Sequence, residues 1–149
     1  MNAVDTRRVA EVSPTRRPIR SLAKLWAAGT GIAIVAVASV YLLANEVAGP
    51  LVVTSAGEVT MSDVIGFTIL GGTVGAVLTY VVGRFSRRPR MALLAVTLIA
   101  LAGYAVVPFT AAETTTIAIW LNVFHVVVAI PVIGMLIRYL PKNRPQGEA

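Results

Sequence analysis

The chain has 149 residues, enough for one domain, and 56% of them are hydrophobic while only 13% are charged. Soluble domains usually carry about 25% charged residues, so this composition favours a protein that lies in lipid. The absence of cysteine excludes disulfides, thiolate metal sites and dithiol redox chemistry. The net charge of +6 would suit a nucleic-acid partner only if the basic residues formed one patch.

The charged residues divide the chain into long apolar stretches. Four stretches of 20 to 24 residues carry no charged side chain: 25–45, 64–83, 91–112 and 114–137. A helix rises about 1.5 Å per residue, so each stretch can cross the roughly 30 Å hydrocarbon core. The sequence therefore predicts an all-α membrane protein, a bundle of four transmembrane helices at about 24–45, 63–84, 91–111 and 114–139.

The positions of the charges predict the orientation. All thirteen basic residues precede the first helix, join the second to the third, or follow the fourth, whereas Glu46, Glu58, Asp63 and Glu113 lie on the other side. By the positive-inside rule, both termini are then cytoplasmic in a multi-pass plasma-membrane protein. We divide the chain into a disordered basic N-terminus (1–22), the transmembrane domain (23–140) and a cytoplasmic tail (141–149). The high basic charge reflects topology, and we expect membrane lipids rather than nucleic acid as partners.

The N-terminal arginines allow other interpretations. Arg16 and Arg17 resemble a twin-arginine export signal. A secretory apolar region is about 7–15 residues and precedes a small-residue cleavage site. Here the run is longer, and its Ala-x-Ala at residues 36–38 lies inside it. We expect the segment to be retained as the first helix, with binding of nucleic acid or anionic lipid by the arginines as a lesser alternative.

The connection at residues 46–62 is the longest between spans. Short β-branched runs on either side of Ser55-Ala56-Gly57 predict a small extracytoplasmic β-hairpin between helices 1 and 2. We expect Ser62 or Asp63 to cap helix 2. The hairpin is either a lid or partner surface, or simply a connector, and the connector is favoured.

Small residues recur every four positions along the second predicted helix. Gly71, Gly75, Thr79 and Gly83 form a smooth ridge on one face. Such ridges let helix backbones approach closely in lipid, where the hydrophobic effect no longer drives helices together. We interpret this one as a helix-packing ridge against helix 1 or 4, and a homo-oligomer seam is the alternative.

The polar residues inside the spans are few. His125 is the only histidine, Asn122 lies one turn before it, and Tyr104 on helix 3 lies near the same depth. Pro131 frees the carbonyl of Val127 and predicts a kink nearby. We expect a Tyr104–His125–Asn122 cluster that staples helices 3 and 4; a proton relay or ligand site is the alternative. With a single histidine, we expect no metal and no cofactor.

No catalytic motif is apparent: the spans contain no carboxylate pair, and the chain has no nucleotide-binding glycine loop or zinc-ligand spacing. The Arg-rich start, the loop LVVTSAGEVTM, the helix ILGGTVGAVL and His125 in WLNVFHVVVAIPVIG resemble a family of small four-helix membrane proteins of high-GC Gram-positive bacteria. The resemblance covers residues 24–140 and implies no activity. We therefore predict a non-enzymatic structural or accessory membrane protein. Its expected partners include a second copy of the chain or another membrane protein. A small transporter or lipophilic-ligand binder is the alternative, and a membrane enzyme the least favoured one.

Overall fold

Helices make up almost all of the fold. The computed structural model describes residues 18–54 and 56–142. Within these ranges, four helical segments are long and apolar enough to cross a membrane: Ile19–Ala48, Met61–Phe85, Pro89–Ala111 and Thr115–Tyr139. The four predicted apolar spans are thus helical, although their ends differ from the predicted ones.

The first helix, α1 (Ile19–Ala48), begins earlier than predicted. Residues 19–22 belong to the helix and not to a disordered segment, which corrects part of that prediction. Pro18 is the N-cap residue, with φ −64° and ψ 149°. Proline suits a helix start because an N–H there needs no helical acceptor. The predictions for residues 1–17 and 143–149 lie outside the described residues.

The second helix, α2 (Met61–Phe85), begins with a capping box. The N-cap is Thr60, not Ser62 or Asp63 as predicted. The Thr60 hydroxyl accepts a hydrogen bond from the Asp63 N–H at 3.3 Å, and the Asp63 carboxylate accepts one from the Thr60 N–H at 2.9 Å. Two N–H groups that the first turn leaves unpaired are satisfied in this way.

Helix α1 lies at the centre of the fold. Its largest interface is with α5 (Thr115–Leu136), the helix of the fourth span, which continues into a 3-10 turn at Ile137–Tyr139, and α2 packs beside it. The backbones of α1 and α5 meet at Gly29, where a Cβ would lie 3.2 Å from the Pro131 carbonyl oxygen. Helix α5 runs through Pro131 as one element.

The third span keeps helical backbone angles throughout, but it has a break in its hydrogen bonding. It consists of α3 (Pro89–Tyr104) and α4 (Val107–Ala111), and Ala105 and Val106 between them are in the αR conformation. Pro108 has no N–H for the Tyr104 carbonyl, and the Phe109 N–H bonds to the Val106 oxygen at 3.1 Å instead of to Ala105. In the most apolar 18 residues of this span only 11% are buried, against 33% in the corresponding stretch of α1. The third span therefore lies at the edge of the fold.

The connection between α1 and α2 does contain the predicted hairpin. Strands β1 (Val52–Val53) and β2 (Gly57–Glu58) pair antiparallel, with Val52 opposite Glu58. Gly57 has φ +82°, a conformation that favours glycine at this turn. The other edge of β1 pairs with the connection before α5, where the Thr54 N–H donates to the Ala111 carbonyl at 2.8 Å.

Besides the backbone bonds of β1 to residues 111–113, one buried side chain and one side-chain hydrogen bond attach the hairpin to the helices. Leu51 is completely buried in a cluster with residues of α1, α2 and α5. The Tyr41 hydroxyl of α1 donates to the Val59 carbonyl at 2.9 Å. The hairpin therefore covers the helix ends that lie opposite the arginine-rich connection between α2 and α3.

Candidate intramembrane site

Asn122 links the fourth span to the break in the third. Its amide donates to the Ala105 carbonyl at 3.2 Å and to the Ala118 carbonyl, one turn back on its own helix, at 3.0 Å. The Ala105 carbonyl is available because the Phe109 N–H bonds elsewhere. A polar group without a partner is costly in hydrocarbon, so this bond stabilises the broken helix and joins it to α5.

His125 is held in a similar way by its own helix. Its Nδ1 lies 2.6 Å from the Leu121 carbonyl oxygen. A carbonyl can only accept, so Nδ1 carries the proton, and in a neutral imidazole Nε2 is then the acceptor. The ring contacts Tyr104 of α3, with 4.5 Å between the ring centroids and 42° between the planes.

The structure brings all three predicted residues together, but not as a hydrogen-bonded chain. Asn122 and His125 each bond to a backbone carbonyl, and Tyr104 joins His125 by a ring contact. The side chain of Tyr104 remains 48% exposed on the face that would meet lipid. The arrangement can connect two helices, and it can present an imidazole and a phenol to a bound molecule. The two spans that form it carry no carboxylate or ammonium group within residues 91–112 and 114–137.

The predicted ridge of α2 is displaced by one position at its beginning. Gly75 and Thr79 are buried, and a Cβ at Gly75 would lie 3.3 Å from a methyl of Leu136. A Cβ at Gly83 would meet Leu140 at 2.9 Å. Gly71 is exposed with nothing near it, so it does not belong to the packing face as predicted.

Gly72 takes the place of Gly71. A Cβ there would lie 2.5 Å from the Thr30 hydroxyl oxygen and 3.3 Å from Trp26 Nε1. The face therefore follows the spacing of an ordinary helix, with steps of four, four, three and four along its buried residues Val64, Thr68, Gly72, Gly75 and Thr79. Its contacts are with α1 and α5 of the same chain.

Trp26 and Thr30 on α1 were missed by the sequence analysis. In the described part of the chain, Trp26 Nε1 and Thr30 Oγ1 are buried without a hydrogen-bond partner. They lie four residues apart on one helical face and both approach Gly72. That spacing was visible in the sequence, but it could not show that a glycine of α2 would lie opposite.

The described charges lie at opposite ends of the helices. Basic residues occur at the start of α1, in the connection between α2 and α3, and after α5: Arg20, Lys24, Arg84, Arg87, Arg88, Arg90, Arg138 and Lys142. The guanidinium of Arg90 donates through Nε to the Leu140 carbonyl at 2.9 Å, which joins two of these segments. Carboxylates lie near the hairpin end: Glu46, Glu58, Asp63 and Glu113. We call these the basic end and the acidic end.

Four helices that are each long and apolar enough to cross a membrane define an integral membrane protein. The chain belongs to a family of unknown function (DUF6069), which matches it over residues 17–142. This membership agrees with the expectation of an uncharacterised domain family and brings no activity with it. No curated protein and no solved structure matches the chain.

Proposed function

We propose that this protein is a multi-pass component of the plasma membrane with a structural or accessory, non-enzymatic role. In this proposal the basic end and both termini lie in the cytoplasm, and the hairpin lies outside as a connector that covers the helix ends. Lipids and other membrane proteins, a second copy of the chain included, are its partners. Nucleic acid is not.

The separation of charge supports the orientation. Every described basic residue lies at one end of the helices and every described acidic residue at the other. Cytoplasmic connections are rich in Lys and Arg, so the basic end belongs in the cytoplasm.

The absence of cysteine from the sequence allows a direct test of this orientation. Glu58→Cys introduces a thiol in the hairpin, and Arg87→Cys introduces one at the basic end; both positions are exposed. A maleimide that cannot cross membranes should label only the Glu58→Cys protein in intact cells, and both proteins after the cells are opened. Labelling of the Arg87→Cys protein in intact cells would reverse the proposed topology.

The observation that carries the non-enzymatic role is the way in which the intramembrane polar residues are used. The Asn122 amide and the His125 Nδ1 both bond to backbone carbonyls of this chain. A general base needs a reacting proton within hydrogen-bond reach and usually a third group that orients it. Stapling of helices requires only the contacts already made.

A small transporter or lipophilic-ligand binder is the second candidate function. It is favoured by the exposed face of Tyr104 beside His125, which could present a polar site to a molecule arriving from the lipid. Native mass spectrometry of the wild type and of His125→Gln, each extracted with its lipids, separates the two candidates. A ligand that the wild type retains and His125→Gln loses would favour the second candidate.

A further inference from the structure

A groove runs between the third and fourth spans. It has a volume of about 320 Å³, and its lining is mainly apolar. The lining includes Leu94, Thr97, Leu101, Ile130, Gly134 and Ile137, which belong to α3, α5 and the 3-10 turn after α5. The hydroxyl of Thr97 donates to the Leu93 carbonyl at 2.9 Å, so the one polar side chain of this set is already satisfied. We call this the α3–α5 groove.

Contacts between the two helices limit the groove at both ends. Towards the acidic end, Tyr104 and His125 touch, three residues beyond Leu101 and five before Ile130. Towards the basic end, Arg90 Nε donates to the Leu140 carbonyl. Between these contacts the groove lies between α3 and α5, and a Cβ at Gly134 would meet no atom within 4 Å.

The groove lies within one leaflet of a bilayer. Its lining on α3 runs from Leu94 to Leu101, which corresponds to about 10 Å of helix. The two contacts that limit it, at Arg90 and Tyr104, are 14 residues apart, about 21 Å of helix, and half of a bilayer with its headgroup region is about 20–22 Å thick. A transmembrane helix of a partner would have to pass the whole core, roughly 30 Å, and the Tyr104–His125 contact closes the groove before that.

The charge at the basic end of the groove favours an anionic headgroup. Arg90 bonds to Leu140 there, the exposed residues Arg87 and Lys142 are close to this pair in sequence, and all four described carboxylates lie at the other end of the helices. Arginine binds phosphate through several N–H donors, and each basic residue near an anionic lipid surface adds to the attraction.

We propose that the α3–α5 groove binds the acyl chain of an anionic phospholipid, with the headgroup phosphate held by the basic residues at the basic end. The lipid belongs to the leaflet at the basic end, whichever side of the membrane that is. The site is independent of the proposed structural role and of the proposed orientation.

Native mass spectrometry of the full-length protein tests the site with two probes, phosphatidylglycerol and phosphatidylcholine in equal amounts. The wild type should retain phosphatidylglycerol in preference. Gly134→Leu should fill the groove and lower retention of both lipids, because the leucine side chain enters the space that the acyl chain occupies. Gly31→Leu is the matched control, since Gly31 is exposed on α1 with no atom near a Cβ.

A second variant tests the headgroup. Arg87→Gln with Lys142→Gln leaves the groove intact and should reduce the preference for phosphatidylglycerol by about fivefold or more for the two charges together. An undiminished preference would overturn the assignment of the headgroup site. Equal lipid retention in Gly134→Leu and Gly31→Leu would overturn the assignment of the groove. A wild-type dimer that only Gly134→Leu dissociates would overturn it as well, because a second chain would then occupy the groove.

A photoreactive phosphatidylglycerol, with a diazirine on its acyl chain, tests the same site in the unmodified protein. Cross-links should concentrate in residues 94–101 and 130–137. An even distribution over the exposed faces of α1 and α2 would overturn the proposal, and this result does not depend on whether any variant folds.

Discussion

The packing of α2 is decided residue by residue, and one position separates a contact from open lipid. Gly71 and Gly72 are neighbours of the same type, yet a Cβ at Gly71 would meet nothing while one at Gly72 would overlap the Thr30 hydroxyl. In lipid, close backbone approach replaces the hydrophobic effect as the reason for helices to associate. Comparing substitutions at these two positions therefore measures how much close backbone approach contributes to stability.

We expect Gly72→Ala to destabilise the protein by about 1–3 kcal/mol, since Thr30 or the helix backbone must move to admit the methyl group. Gly71→Ala, the matched control, should be neutral or stabilising by up to about 1 kcal/mol, because alanine is the better helix former. Both can be measured as free energies of unfolding by SDS titration. Equal effects of the two substitutions would show that α2 packs by another face.

At the scale of elements, a break in one helix is compensated by a side chain of another. Next to Pro108, the Phe109 N–H bonds to the Val106 oxygen, which leaves the Ala105 carbonyl without its helical donor, and Asn122 supplies one from α5. The hairpin depends on a similar long-range bond, from the Tyr41 hydroxyl to Val59. In both places a side chain of a helix donates a hydrogen bond to a carbonyl of irregular backbone.

The pairing of Pro108 with Asn122 predicts that their substitutions are not additive. Asn122→Leu alone should cost about 0.6–1.7 kcal/mol, the range measured for hydrogen bonds between membrane helices. In a Pro108→Ala background the Phe109 N–H can return to the Ala105 carbonyl, so the same substitution should cost less by at least about 0.5 kcal/mol. A double-mutant cycle by SDS titration measures this difference. If Asn122→Leu costs the same in both backgrounds within about 0.3 kcal/mol, the Asn122 bond does not depend on Pro108.

The Tyr41 bond predicts a local effect on the hairpin. Tyr41→Phe removes the donor to the Val59 carbonyl while the ring stays in place, so the amide hydrogens of residues 51–59 should exchange faster. Tyr80→Phe is the control, because Tyr80 is exposed on α2 far from the hairpin. Hydrogen exchange followed by mass spectrometry makes the comparison. Unchanged exchange in Tyr41→Phe would show that buried Leu51 and the backbone bonds of β1 to residues 111–113 hold the hairpin without this bond.

For the molecule as a whole, the spans could be predicted and their partners could not. Charge-free stretches of 20 residues or more have few alternatives to a membrane helix, so the four spans and the hairpin followed from the sequence. Pro108 was visible too, but proline near a helix end is compatible with either a break or a continuation. The displacement of the ridge from Gly71 to Gly72 depends on the rotation of α2 against α1, which small residues on both sides of a helix leave undetermined.

The candidate site, like the spans, could be predicted only in part from the sequence. Depth along two antiparallel helices placed Tyr104 near His125, because rise per residue is nearly constant. The partners of Asn122 and His125 are backbone carbonyls, and sequence does not mark which carbonyl lacks a donor. The α3–α5 groove, likewise, lies between two helices and has no motif.

The pairing of α1 with α5 has a consequence for how the protein is made. Sixty-six residues lie between the end of α1 at Ala48 and the start of α5 at Thr115, so at roughly 5–20 residues per second the first helix waits several seconds for α5 to be made. During that interval its Gly29 surface faces lipid or the insertion machinery. A nascent chain that stops after Ala111 should therefore be cleared rapidly by membrane proteases, and pulse-chase labelling would show a half-life much shorter than that of the full chain.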